Sequence, residues 1–137
     1  MSIEQNKEIA SRLHEEVVNQ KNLSALEDYV ATEVVWHNPP PGLAPGMEGY
    51  KQFFPMVYAA FPDWHSAIED VIAEGDKVVH RFSGRGTHEG EWMGIAPTGK
   101  QVTVAGIIIY RVVGNKIVEE WIQYDIMGLM QQLGAVP

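Results

Sequence analysis

The sequence predicts an α+β domain in which helices lie on one face of a curved antiparallel sheet. Three observations predict it. Helical spacing is confined to the first half of the chain and its last few residues; strand-like runs fill most of the second half; and the short turn signals Gly75-Asp76 and Gly114-Asn115 separate consecutive runs. Turns that short join antiparallel neighbours, and no long crossover of the parallel type is evident. At 137 residues the chain fits one domain spanning 1–137, long enough to bury a real core.

Each element follows from a local signal. Ser2-Ile-Glu-Gln5 reads as a capping box, and Ile9, Leu13 and Val17 continue it at helical spacing. Ser24-Ala-Leu-Glu27 reads as a second box, opening a short helix with Leu26, Tyr29 and Val30. Glu33 to Asn38 is a brief β-branched and aromatic strand, closed by Pro39-Pro-Pro-Gly42. From Met47, the residues Tyr50, Phe54, Val57 and Phe61 fit a helix that Pro62 ends; Pro55, at an interior cost of about 3 kcal/mol, predicts a kink or break. Four strands follow, Trp64 to Glu74, Lys77 to His88, Gln101 to Val113 and Lys116 to Tyr124, and Ile126 to Leu133 forms a terminal helical turn or two. The glycines of Ser83-Gly-Arg-Gly86 suggest a bulge or sharp bend. Gln101–Val113 is apolar at both parities, so its outer face needs a cover as well, which suggests a homodimer through that face.

Composition excludes several function classes. Eighteen acidic against ten basic residues give a net charge of −8, which repels phosphate backbones and anionic lipid, and no Lys/Arg cluster offsets it, so neither nucleic acid nor membrane is expected as a partner. The absence of cysteine removes disulfides, thiolate nucleophiles and Cys-ligated zinc. His65, His80 and His88 lack metal-ligand spacing, and there is no HExxH, dinucleotide or P-loop pattern, so no metal is expected. The polar N-terminus lacks an apolar signal-peptide core, and a cytoplasmic location is the default expectation.

The candidate chemistry centres on the last strand. Glu119, Trp121, Gln123 and Asp125 share one parity and therefore one face. If that face lines a concave pocket, burial beside Trp121 would raise a carboxyl pKa towards the range useful for proton transfer. Asp125 is then a general acid/base with Glu119 as second choice; equally, Asp125 suits the N-cap of the last helix. His37, at a strand end beside a proline-rich loop, could donate to a carbonyl or orient a carboxylate, or simply bond local backbone. Arg81 either meets Glu119, Asp125 or a substrate anion, or lies at an edge in solvent. Trp92 and Met93, in the connection from Glu89 to Lys100, should pack over something, and with Trp121, Gln123 and Arg81 they are the candidate substrate-binding residues.

The chain resembles the SnoaL-like polyketide (ester) cyclases of the nuclear-transport-factor-2-like superfamily. The resemblance rests on His37-Asn-Pro39, Gly46-Met-Glu-Gly49, Ala60-Phe-Pro-Asp63, Ala73-Glu-Gly-Asp76, Gly86-Thr-His-Glu-Gly90, Pro97-Thr-Gly-Lys100, and Lys116-Ile-Val-Glu-Glu-Trp121 through Asp125 to Gln132-Leu-Gly134. It implies a dimer of cone-shaped α+β barrels, each with a ligand cavity and no metal or organic cofactor. It also implies that a pocket aspartate, best matched by Asp125, moves a proton during an intramolecular aldol ring closure, with His37 and Trp121 as pocket candidates. The cyclases carry polar groups on the fourth strand, where this chain offers Thr103 and Tyr110. Two functions compete: cofactor-independent acid/base catalysis on a small, apolar or aromatic, carbonyl-bearing molecule, or non-catalytic binding in the same cavity. A carboxylate exposed inside the cavity discriminates between them.

Overall fold

The computed structural model describes residues 2–136. Helix α1 (Ile3–Leu13) begins with the expected capping box, in which Gln5 N–H donates to Ser2 Oγ and Ser2 N–H donates to Gln5 Oε1, both at 3.0 Å. It passes directly into a π-helical segment, His14–Asn19, that buries His14 and Val17. The second box does not form. Ser24 Oγ instead donates to Asn22 Oδ1 at 2.6 Å, a 3-10 turn occupies Leu23–Ala25, and α2 is a single turn, Leu26–Tyr29. Helix α3 (Met47–Ala60) runs through Pro55 without the expected break. Pro55 and Lys51, whose carbonyl loses its intrahelical donor, are both exposed, so solvent can meet that carbonyl.

The strands are β1 (Val30–Trp36), β2 (His65–Glu74), β3 (Lys77–Thr87), β4 (Gln101–Val113) and β5 (Lys116–Tyr124), and α4 (Ile126–Gln132) closes the chain. They form one sheet in the order β1-β5-β4-β3-β2. The meander β2 to β5 is antiparallel as expected, but β1 lies parallel to β5, so the sheet is mixed. Hairpin turns reveal only the pairings they make; a strand that pairs with one far along the chain leaves no such local signal. The Gly114-Asn115 turn has φ of +58° and +66°, the left-handed pair that a tight hairpin of the mirror-image type requires.

The glycines of β3 do not mark a bulge, because β3 and β4 stay in register through Gly84 and Gly86. A side chain at Gly84 would collide with the Trp64 indole, so this glycine makes room for a ring on the inner face. True bulges occur elsewhere. In β2, Ile68 pairs with Phe82 and Asp70 with Arg81, which leaves Glu69 unpaired. In β5, Ile117 pairs with Val112 and Glu119 with Arg111, which leaves Val118 unpaired. The extra residue bends the strand and inverts which parity points inward.

The inner face of the sheet wraps α1 and α3. One core cluster joins Ile9, Leu13, Val17 and Leu26 to Val34, Val78, Val112 and Ile117. A second, built from Phe61, Trp92, Val102, Val104, Leu129 and Leu133, closes the other end beneath α4. Among the described residues no helix is long and apolar enough to cross a membrane.

Candidate active site

A cavity of about 130 Å³ lies between the two clusters, lined by residues of α1, α3 and the concave face of the sheet. Aromatic side chains make up much of its wall, among them Trp36, Tyr50, Phe53, Phe61, Trp92 and Tyr110. Trp36 and Tyr50 stack with ring centroids 4.7 Å apart, and Phe53 meets both Trp36 and Trp92 edge-on. Such contacts hold the rings rigidly around an apolar space.

Among the described residues one carboxylate stands in that wall, Glu120 of β5. The β5 bulge puts it there: beyond Val118, Glu120 pairs across the sheet with inward-facing Tyr110. Only 7% of Glu120 is exposed. Burial pushes its pKa from 4.5 up to about 7, because the low-polarity wall disfavours the ionised form. The nearby Tyr50 hydroxyl pulls it partly back without reaching hydrogen-bond geometry, since that hydroxyl has no partner in the protein. Burial also raises Tyr50 and Tyr110 well above the ordinary phenol value, so both keep their protons. The site therefore holds one carboxyl poised to exchange a proton near neutral pH beside two protonated phenols, Tyr50 and Tyr110, that can donate hydrogen bonds.

Two buried histidines, His80 and His14, lie on the same side of the fold as the cavity. His80 is fully buried with neither ring nitrogen hydrogen-bonded, and burial lowers its pKa to about 4. Its ring meets Tyr110 edge-on at 5.4 Å and His14 edge-on at 6.0 Å. His14, in the cavity wall, is held below the ordinary imidazole value chiefly by burial. Among the described residues no three His, Cys, Asp or Glu side chains converge where they could hold a metal ion.

Of the residues singled out in the sequence, Trp92 lies in the cavity wall, buried to 4% exposure. Met93 is half-buried against the second core cluster and is not in the wall. Asp125 is exposed and caps α4, its Oδ1 accepting from Gly128 N–H at 2.8 Å. Glu119, Trp121 and His37 do come together, but on the outer face. The His37 ring stacks on Trp121 at 4.5 Å, and its Nε2 lies 3.5 Å from Glu119 Oε1. Arg111 donates to Glu119 Oε2 at 2.8 Å and holds that carboxyl below its usual range. Gln123 is exposed beside Ile107 on the same face. Arg81 is exposed and pairs with Asp70 at 2.6 Å rather than with Glu119 or Asp125. Sequence reasoning missed Glu120 and Tyr50, and gave Tyr110 only as a polar group of its strand; the signal for Glu120 is its place on the inner side of a bulged strand opposite Tyr110, whereas Tyr50 reaches the cavity from α3.

Comparison with known proteins agrees with this architecture. Residues 8–133 match the SnoaL-like polyketide cyclase family. A protein from Acidithiobacillus ferrooxidans, provisionally assigned as a polyketide cyclase, is 32% identical over all of both chains with a TM-score of 0.84. IdmH from Streptomyces antibioticus, with the same provisional assignment, is 31% identical over 95% of this chain and 99% of its own, with a TM-score of 0.81. AclR from Streptomyces galilaeus, provisionally assigned as a hydroxylase, is 26% identical over 99% of this chain and 100% of its own, with a TM-score of 0.88. No curated protein matches the chain. With a family match over nearly its whole length and the family's fold around an aromatic cavity, the chain belongs to the SnoaL-like polyketide cyclases.

Proposed function

We propose that the protein catalyses cofactor-independent proton transfer on an apolar, carbonyl-bearing small molecule, of the intramolecular aldol cyclisation type or a related isomerisation or dehydration, with Glu120 as the acid/base. The observation that carries this reading is a single carboxyl in an aromatic cavity whose pKa is raised to about 7. A general base works best when its pKa lies near the operating pH. In the aldol case, ionised Glu120 takes a proton from the carbon next to a carbonyl. The resulting enolate oxygen accepts a hydrogen bond from the phenol of Tyr110 or Tyr50, and the carbanion carbon adds to a second carbonyl of the same molecule. Glu120 returns the proton to the new alkoxide, so bonds and protons balance without an external reactant. Tyr110 fills the donor role on the fourth strand, where preorganised donors contribute several kcal/mol to such transition states, roughly 3–4 for a single donor.

Exchange of the α-protons of small aromatic ketones in D2O, followed by proton NMR, tests this without the natural substrate. The wild-type protein should accelerate exchange, with a rate that rises through about pH 7, and Glu120→Gln should reduce it about 100-fold or more. Full exchange in Glu120→Gln would sink the assignment. The almost wholly apolar wall equally suits a module that only binds ligand, and that reading prevails if the wild-type protein binds aromatic ketones tightly yet never speeds their exchange.

A further inference from the structure

We propose that Asn38 is a positioning residue for Glu120: its side-chain amide stands in for a missing strand residue and locks β5, beyond the Val118 bulge, in the register that turns Glu120 into the cavity. The proposal rests on Glu120 being the acid/base and deepens that reading by naming what fixes its place.

A lock is needed because β1 supports the far part of β5 sparsely. The two strands pair at Val30 and Ile117, and then only at Val35 with Glu119 and Trp36 with Glu120, the register being broken between. Beyond Trp36 the chain enters its proline-rich loop, and His37 N–H makes one more strand-like bond, to the Glu120 carbonyl at 3.0 Å. A parallel ladder carried further would have Ile122 N–H donate to the carbonyl of residue 37, and the Ile122 carbonyl accept from the N–H of residue 39. Residue 39 is a proline and has no N–H to give.

Asn38 meets both needs with its side chain. Its Nδ2 donates to the Ile122 carbonyl, and Ile122 N–H donates to its Oδ1 at 3.0 Å. One amide thus supplies the donor and the acceptor that the ended strand lacks. The loop holds that amide ready. A residue before proline is confined to extended backbone, and Pro39, Pro40 and Pro41 fix φ through the following turn. Trp36 N–H donates to the Pro45 carbonyl at 2.9 Å, which fastens the returning end of the loop to β1.

Ile122 lies two residues beyond Glu120 and, like it, in the cavity wall. Fixing the Ile122 peptide fixes which side chains of β5 face inward, because a slip of one residue exchanges the faces. From the other neighbouring strand, Arg111 holds Glu119 outward at 2.8 Å. The bulged strand is therefore restrained from both sides. Without the amide, Ile122 N–H and its carbonyl need water as partner, and water admitted there reaches the neighbourhood of Glu120. The titratable groups that face Glu120 are Tyr50 from α3 and Tyr110 from β4, both held in the protonated form, while β1 presents Trp36. The Glu120 titration midpoint consequently reports how dry its surroundings are.

The test follows the Glu120 carboxyl by carbon-13 NMR through a pH titration, together with hydrogen exchange of the Ile122 amide and α-proton exchange of a small aromatic ketone. In the wild-type protein Glu120 should titrate near pH 7, with the Ile122 amide protected. Asn38→Ala should expose that amide and move the Glu120 midpoint by about one pH unit or more towards 4.5. It should also slow ketone exchange about tenfold or more, while the amides of β3 stay protected. Asn38→Ser, whose shorter hydroxyl serves at most one of the two Ile122 groups, should shift the midpoint the same way by less, and it reads the lock if alanine prevents folding. Asp125→Ala, which weakens α4 instead, should leave the midpoint in place. An unchanged Glu120 midpoint in the Asn38 variants, a protected Ile122 amide in Asn38→Ala, or an equal shift in Asp125→Ala overturns the proposal. Full ketone exchange in Glu120→Gln overturns the catalytic reading on its own, and the titration, which needs no turnover, tells that failure apart from a failure of the lock.

Discussion

Replacing His80 with leucine should change the direction in which stability responds to pH. Two buried groups oppose one another in this fold. Glu120 has an unfolded value of 4.5 and a native value of about 7, so between these limits the native state holds a proton that the unfolded chain has lost. Its contribution is fully present below pH 4.5 and is lost as pH rises towards 7. His80 has an unfolded value of 6.5 and a native value of about 4, so there the unfolded chain binds the extra proton. Its contribution is fully present above pH 6.5 and is lost as pH falls towards 4. At about 1.4 kcal/mol per pH unit, each slope amounts to about 3 kcal/mol across its window, and over their overlap they cancel. His14, also held below its ordinary value, adds to the His80 direction. His80→Leu, which conserves volume and removes two unpaired nitrogens, should leave stability falling as pH rises from about 4.5 to 7. Glu120→Gln should leave the opposite slope, stability falling as pH drops from about 6.5 to 4. Urea titrations followed by tryptophan fluorescence at a series of pH values read both directly as midpoints at constant m. Matching slopes in the two variants, or a His80→Leu profile that follows the wild type, would refute the reasoning.

Two further outcomes separate the cavity from its surroundings. Asp125→Ala should cost about 1 kcal/mol by removing the cap of α4 while leaving proton exchange at the wild-type rate; lost exchange in a variant whose α4 stays helical would restore Asp125 to the chemistry. The outer face presents a cross-strand row of Ile72, Val79, Ile109 and Trp121 with Ile107 beside it, and Ile72 and Ile107 are 64% and 47% exposed. We expect a second copy of the chain to cover this face, so that sedimentation velocity finds a dimer in the wild-type protein and a monomer in Ile107→Glu; a monomeric wild type would exclude it.

Most of the fold was legible because its signals are local: a capping box, two tight turns and four strand-like runs lie where the structure has α1 and the antiparallel meander. The parallel pairing of β1 with β5 was not, since it joins segments that no short turn connects. The site depended on a finer point, the face of β5. Strand parity correctly groups Glu119 with Trp121 and Gln123, and Glu120 with Ile122 and Tyr124. Counting back from the Gly114-Asn115 turn in an unbroken ladder puts Ile117 inward and, with it, Glu119. The unpaired Val118 adds one residue to that count, so Ile117 and Glu120, three apart, are both buried, and Glu119 turns outward to Arg111. A one-residue slip exchanges the two faces entirely. The apolar content of the two sets carried the missing information, since Ile122 and Tyr124 accompany Glu120, whereas Gln123 and Asp125 accompany Glu119 and Trp121. A lone carboxylate on the more apolar side of a strand is costly to bury unless it serves a purpose. In this chain the bulge at Val118 is what turns a surface-like Glu-Glu pair into one carboxylate for the outer face and one for the cavity.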